Sequence, residues 1–100
     1  MAALKNGISV DTTMGMTPLA GLVMGTRSGD IDPALTFFLA DQLRMSVNEI
    51  DDLLNKDSGL KGICGSNDMR EVIRMKDAGD DRAEIALKLY CYRIKKYIGA

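Results

Sequence analysis

The spacing of apolar and polar positions changes part-way along the chain, and that change divides it. Near the start the period is two: Ile8, Val10 and Thr12 alternate with Ser9, Asp11 and Thr13, which predicts a half-buried strand. Asn6-Gly7, just ahead of it, is a strong two-residue turn signal, because both central positions of a type I′ turn need φ > 0. MAALKNGISVDTT therefore predicts a β-hairpin over residues 1–13. An isolated hairpin is marginal in water, so this one is expected to belong to a larger sheet.

From Asp32-Pro33 onward the period is helical. Asp32 is placed as an N-cap and Pro33 at the first helical position, where the missing N–H is not needed. Ala34 to Met45 carry Leu35, Phe37, Phe38, Leu39 and Leu43 over more than half the circumference, which predicts a mostly buried helix. Ser46-Val47-Asn48-Glu49 is a capping box, and Val47, Ile50, Leu53 and Leu54 form the stripe of a second helix that stops near Lys56 to Gly59. Gly59 to Ser66 reads as a Gly-rich loop. A third helix is predicted over Asp68 to Ala78, with Met69, Val72 and Ile73 inward and Gly79 as its terminator. Asp80 or Asp81 caps the last helix, whose stripe is Ala83, Ala86, Leu87, Tyr90, Ile94 and Ile98. The expected fold class is α+β and mostly helical, an N-terminal β-hairpin followed by about four helices.

Between these parts lie residues 14–33, MGMTPLAGLVMGTRSGDIDP, with neither period. They hold four of the ten glycines and both prolines. Thr17-Pro18 marks an extended or turn conformation. Leu19, Leu22, Val23 and Met24 fit a short buried strand and a helical turn equally well. Gly21, Gly25 and Gly29 have GxxxG-like spacing, but Arg27 and Asp30 exclude the apolar membrane helix in which that motif works. GLVMGTRS is not a P-loop, having three residues between glycines where four are required and Arg in place of Lys. What remains is an arginine on a Gly-flanked loop. Its guanidinium can bind a phosphate or carboxylate bidentately, with the glycines letting the ligand come close. An Arg27–Asp30 or Arg27–Asp32 ion pair shaping the turn is the equally weighted alternative. Asp30 and Asp32 are also candidate metal ligands, a weaker reading because Asp32 fits a cap better.

Asp68-Met69-Arg70-Glu71 opens the third helix, and Asp68 with Glu71 makes a capping-box variant. A helix N-terminus after a Gly-rich loop can also receive an anion, but the pattern favours capping.

Composition narrows the function classes. Thirteen Lys and Arg against fourteen Asp and Glu give a net charge of −1, without the basic surplus of a nucleic-acid binder. No apolar run approaches the roughly 20 residues that span a bilayer, and no signal peptide is visible. The chain has no histidine, and Cys64 and Cys91 show no CxxC spacing, which argues against a zinc site. Both cysteines read as free, small, buried hydrophobes. Catalysis without histidine must use carboxylates, arginine or backbone donors. Lys88, Arg93, Lys95 and Lys96 read as a solvated face that complements the helix dipole. Gly99-Ala100 follow Ile98 without a polar stop, and the first hairpin arm is short. The chain is therefore expected to be a piece of something longer, with apolar faces left uncovered for self-association.

VDTTMGMTPLAGLVMGTRSGDIDP closely resembles the signature region of the acetate kinase family, and MGTRSGDIDP is its most specific part. The similarity continues through LLNKDSGLKGICGSNDMR and RAEIALKLYCYRIKKYIGA, so it covers essentially the whole chain. The resemblance implies a cytoplasmic, homodimeric enzyme with an actin-like (ribonuclease H-like) α/β fold. Such an enzyme transfers the γ-phosphoryl of ATP, with magnesium, to acetate, giving acetyl phosphate and ADP. The chain would be a single partial domain from the start of the C-terminal domain, with a hairpin (1–13), an active-site loop region (14–33) and a helical region (34–100). By the same resemblance Arg27 is catalytic, Pro18 lines the acetate methyl pocket, and Asp68, Met69 and Arg70 contact the nucleotide. The sequence departs from the family pattern at Ala20, where Glu is usual. It departs again at GICGSND, one residue shorter than the usual loop and with Cys64 replacing Ser. The magnesium ligands, a second arginine, an orienting aspartate and an active-site histidine would lie outside this chain, so the isolated segment is expected to be inactive. Propionate or butyrate kinase is the alternative within the class. A non-catalytic binding or dimerisation module on the same scaffold is the alternative outside it.

Overall fold

The computed structural model describes Met1–Ala100. Asn6 and Gly7 both take positive φ, 52° and 78°, as a type I′ turn demands. They join β1 (Ala2–Lys5) to β2 (Ile8–Thr12) in a two-stranded antiparallel sheet. The register opposes Ala3 to Asp11 and Leu4 to Ser9, leaving Val10 as the extra residue of a bulge. The expected half-buried face is not formed. Every residue of both strands is exposed, Ile8 and Val10 included. The strands pair only with each other. Alternation identifies the apolar face of a strand but not what covers it.

Residues 13–33 form neither helix nor strand, so neither reading of Leu19 to Met24 holds. Five helices follow: α1 (Ala34–Gln42), α2 (Val47–Lys56), α3 (Gly59–Cys64), α4 (Met69–Asp77) and α5 (Asp81–Gly99). Four of them are the helices expected from the periodicity. The short α3 takes the place of the expected Gly-rich loop.

The caps agree closely with the sequence. Asp32 Oδ1 accepts from the Ala34 N–H at 2.9 Å, and Pro33 is already helical at φ −53°. The Ser46–Glu49 capping box is complete. Asp80 Oδ1 accepts from the Ala83 N–H at 3.0 Å, which decides between Asp80 and Asp81. Asp68 caps α4 through the Arg70 N–H, but the box variant fails: Glu71 bonds Arg74 and the Asp68 N–H donates to Ser66 Oγ. Gly79, at φ +90°, ends α4.

Burial agrees less well. In α1 only Leu39 is buried, and Phe37 is 74% exposed, because the helix packs chiefly on α2. Ile73 and Val47 also face outward. Cys64 is buried as expected, whereas Cys91 is exposed.

Two small cores result. One joins α3, α4 and α5 through Leu60, Cys64, Val72, Ala83 and Ala86. The other joins α1 and α2 through Leu39, Ile50 and Leu54, with Leu19 and Ile31 of the loop region packed on it. No helix is long and apolar enough to cross a membrane.

Candidate functional site

Arg27 sits at the tip of a loop whose backbone is fixed along its length. Five hydrogen bonds tie residues 24–28 to the α2–α3 corner. The Ser28 N–H donates to the Leu54 carbonyl (3.0 Å) and the Ser58 N–H to the Thr26 carbonyl (2.9 Å). The Leu60 and Lys61 N–H groups donate to the Met24 and Gly25 carbonyls at 3.0 and 2.9 Å. The Thr26 hydroxyl donates to the Asn55 carbonyl at 2.8 Å. Leu60 and Lys61 belong to the first turn of α3, whose N–H groups have no partner within the helix. Loop carbonyls supply what no local side chain does, and this explains how a six-residue helix forms there. Gly59 starts it at φ +62°, and a Cβ at that position would lie 2.1 Å from the Met24 carbonyl oxygen and 2.7 Å from that of Arg27.

The glycines of the loop serve the same packing. A Cβ on Gly21 would lie 2.2 Å from the Thr13 carbonyl oxygen, one on Gly25 2.9 Å from that of Asn67, and one on Gly29 2.6 Å from that of Gly21. Their first use is to let other backbone come close, not a ligand. Gly25 thereby brings the Arg27 loop against Asn67, the residue before the α4 cap.

Neither expected ion pair of Arg27 exists. Arg27 takes part in none of the salt bridges of the chain. Asp32 is engaged at the start of α1. Asp30 accepts from the Gly21 N–H through Oδ1 (2.7 Å) and from the Tyr97 hydroxyl through Oδ2, with Arg93 Nη2 3.4 Å from the latter. The Tyr97 hydroxyl bond is the main cause holding the Asp30 carboxyl below the usual carboxylate range, and the same bond raises the Tyr97 phenol. Arg93 is accordingly not part of a solvated face: its side chain is 17% exposed and it donates to the Asp30 carbonyl at 3.2 Å. Sequence reasoning missed Arg93 and Tyr97. The available signal was a cation spaced seven residues after Ala86 and three after Tyr90, on the inward stripe of α5.

Pro18 and Arg27 each stand beside, not in, the wall of one cavity. The Pro18 neighbours Thr17 and Leu19 line this open cavity of about 260 Å³ together with Ala20, Ser28, Gly29 and Ile31. The cavity thus joins the Pro18 segment to the residues that follow Arg27. Asp68 and Arg70 form a closed pair, with Arg70 Nε and Nη2 on the two Asp68 carboxylate oxygens at 3.1 and 2.6 Å. That guanidinium, followed by the Arg70 N–H, holds Asp68 at a pKa of about 2. The Arg70 side chain is 91% exposed, so the pair can open towards solvent without disturbing the core. Met69 begins α4 and packs against the α3–α4–α5 core. No three His, Cys, Asp or Glu side chains converge on a common point.

Residues 1–100 match the model of the acetokinase family along their whole length. The chain is 60% identical over 98% of its length to the acetate kinase of Sulfurovum sp.. It is likewise 60% identical over its full length to that of Desulfotalea psychrophila. It spans about a quarter of either relative, 25% in each case. Among solved structures, a propionate kinase from Francisella tularensis superposes on 98% of the chain with a TM-score of 0.96 and 51% identity, over 26% of its own length. The acetate kinase of Porphyromonas gingivalis superposes on 98% with a TM-score of 0.93 and 47% identity, over 25% of its own length. The chain belongs to the acetokinase family.

Proposed function

We propose that this chain is the opening part of the C-terminal domain of an acetate kinase, a phosphotransferase that moves the γ-phosphoryl of ATP to the carboxylate of acetate. Residues 1–13, 14–33 and 34–100 are its hairpin, its active-site loop region and its helical region. Arg27 is the catalytic residue, Pro18 lines the pocket for the acetate methyl group, and Asp68, Met69 and Arg70 contact the nucleotide.

The observation that carries this reading is a cation without an internal partner on an immobilised backbone. In-line phosphoryl transfer spreads negative charge over the equatorial oxygens, and the protein contributes positioning and electrostatic stabilisation. A guanidinium whose loop is already fixed needs little reorganisation as that charge develops. The neighbourhood of the other residues supports the same reading. Residues flanking Pro18 and residues that follow Arg27 line one cavity, and Gly25 lies against Asn67, the chain neighbour of Asp68. Magnesium does not fit the residues of this segment, since no three ligating side chains converge and Asp30 and Asp32 are engaged elsewhere. The reading takes the metal ligands from outside this chain.

In the full-length protein, Arg27→Ala is expected to lower kcat by about 10²–10³-fold with KM for acetate little changed, because the interaction strengthens in the transition state. A loss confined to KM would reduce Arg27 to a binding residue. The isolated segment is expected to form no acetyl phosphate above a buffer control. Activity that Arg27→Ala abolishes would overturn that expectation. The resemblance further implies a cytoplasmic homodimer, which ultracentrifugation of the full-length protein tests for its oligomeric part. A second reading, propionate kinase, draws on the Francisella tularensis structure. Comparing kcat/KM for acetate, propionate and butyrate decides between them.

A further inference from the structure

We propose that Asp30, Arg93 and Tyr97 form a latch that positions the Arg27 loop for catalysis, a role that rests on the phosphotransferase reading above. The loop closes at its base through Asp30 and Gly21. The Asp30 N–H donates to the Gly21 carbonyl at 2.9 Å, and the Gly21 N–H donates back to Asp30 Oδ1 at 2.7 Å. Everything between these residues, Arg27 included, hangs from that doubly bonded base. The remaining acceptors of Asp30 turn to α5. Its Oδ2 takes the Tyr97 hydroxyl, and its carbonyl takes Arg93 Nη2 at 3.2 Å.

Arg93 and Tyr97 are one helical turn apart and so stand side by side on α5. The helix that carries them is anchored at its other end. Ala83 and Ala86, further up α5, are fully buried in the core that contains Val72 and Leu60. Arg27 is therefore held from two directions, its loop tip by the α2–α3 corner and its loop base by α5.

An isolated surface ion pair contributes little to stability. This latch differs because its donors converge on one residue from two separate segments and its one cation, Arg93, is mostly out of solvent. Its effect should fall on geometry. Displacing a catalytic group by about 1 Å can cost up to 10²-fold in rate. Loss of the Tyr97 hydroxyl leaves Oδ2 with only the longer 3.4 Å contact to Arg93 and lets the loop base relax, moving Arg27 without removing it.

The test uses the full-length protein with Tyr97→Phe, Asp30→Asn and, as a control on an exposed α5 position, Lys95→Ala. Tyr97→Phe is expected to lower kcat about tenfold with KM for ATP and acetate within about twofold, and Lys95→Ala to change neither. In an Arg27→Ala background Tyr97→Phe is expected to lower kcat no further, since a latch that acts only through Arg27 is silent without it. Equal losses in both backgrounds would mean a general structural role and would overturn the proposal. Should Tyr97→Phe fail to fold, Asp30→Asn carries the test, because it keeps the side-chain shape while removing the charge that faces Arg93. An active wild type with both variants at wild-type kcat overturns the latch alone. A wild type that phosphorylates no short-chain acid overturns the phosphotransferase reading, and the latch with it.

Discussion

The hairpin and the loop that follows it differ in an instructive way. Residues 1–13 have regular hydrogen-bonded structure and almost no burial, whereas residues 14–33 have no regular structure and are bound to most of the fold. The hairpin satisfies its backbone internally, strand to strand. The loop satisfies its own through α2, α3 and α5. Regularity and integration are therefore separate properties, and the candidate chemistry lies in the irregular, integrated part. A ladder between adjacent strands needs only a turn, while a loop that must hold a guanidinium needs anchors from elsewhere.

Two glycines with similar backbone angles offer the sharpest way to break this contrast. Gly59 (φ +62°) has the Met24 carbonyl oxygen 2.1 Å from where a Cβ would be, whereas Gly7 (φ +78°) has nothing within 4 Å. Gly59→Ala is expected to destabilise by about 3–4 kcal/mol, combining backbone strain with a clash against backbone that cannot yield. Denaturant titration checks this, and a cost below that of Gly7→Ala would mean that the loop is less firmly packed than its hydrogen bonds imply. Asp30→Ala comes next, at about 2 kcal/mol, because the amide of buried Gly21 loses its acceptor.

That second effect carries a pH signature. The folded pKa of Asp30 lies below the ordinary carboxylate value, so its contribution is complete above that ordinary value and is lost as pH falls through the lower folded one. The stability difference between wild type and Asp30→Ala should shrink in that acid window. Tyr97 runs the other way: its pKa is raised, so its contribution is complete below the ordinary phenol value and fades as pH rises through the folded one. Stability curves for Tyr97→Phe should approach wild type only in strong base.

The hairpin variants should be milder. Gly7→Ala is expected to cost about 1 kcal/mol, the left-handed strain alone. Ile8→Thr, on an exposed strand position, should stay within about 0.5 kcal/mol. A larger loss at Ile8 would mean that this face is covered in the protein under test, and would turn the contrast between hairpin and loop into one about missing partners.

Legibility in the sequence followed the distance over which each feature is decided. Asn6-Gly7, Asp32, the Ser46–Glu49 box and Gly79 act within four residues, and each was readable because the cap or turn and its partner share one short stretch. The short helix α3 was not readable. Its first N–H groups are satisfied by Met24 and Gly25, 36 residues upstream of Leu60 and Lys61. The exposure of Phe37 and the inward turn of Arg93 were equally hidden, since periodicity shows which side of a helix is apolar and not what stands opposite.

For the candidate site, Arg27, Pro18 and the Asp68–Arg70 tripeptide could be named from their motif, and the Asp32 cap from its place before Pro33. That Arg27 has no ion-pair partner could not be read, because both nearby aspartates looked equally available to it. The sequence by itself determined the Asn6-Gly7 turn, the Asp32 and Ser46–Glu49 caps, the four periodic helices and the family, all carried by residues close in the chain or by motif identity. Only the tertiary structure decided that Asp30 belongs to Gly21, Arg93 and Tyr97, leaving the guanidinium of Arg27 outside every ion pair. An acceptor takes whichever donors folding brings within about 3 Å, and those on the Asp30 carbonyl and carboxylate, Arg93 and Tyr97, lie 63 and 67 residues away along the chain.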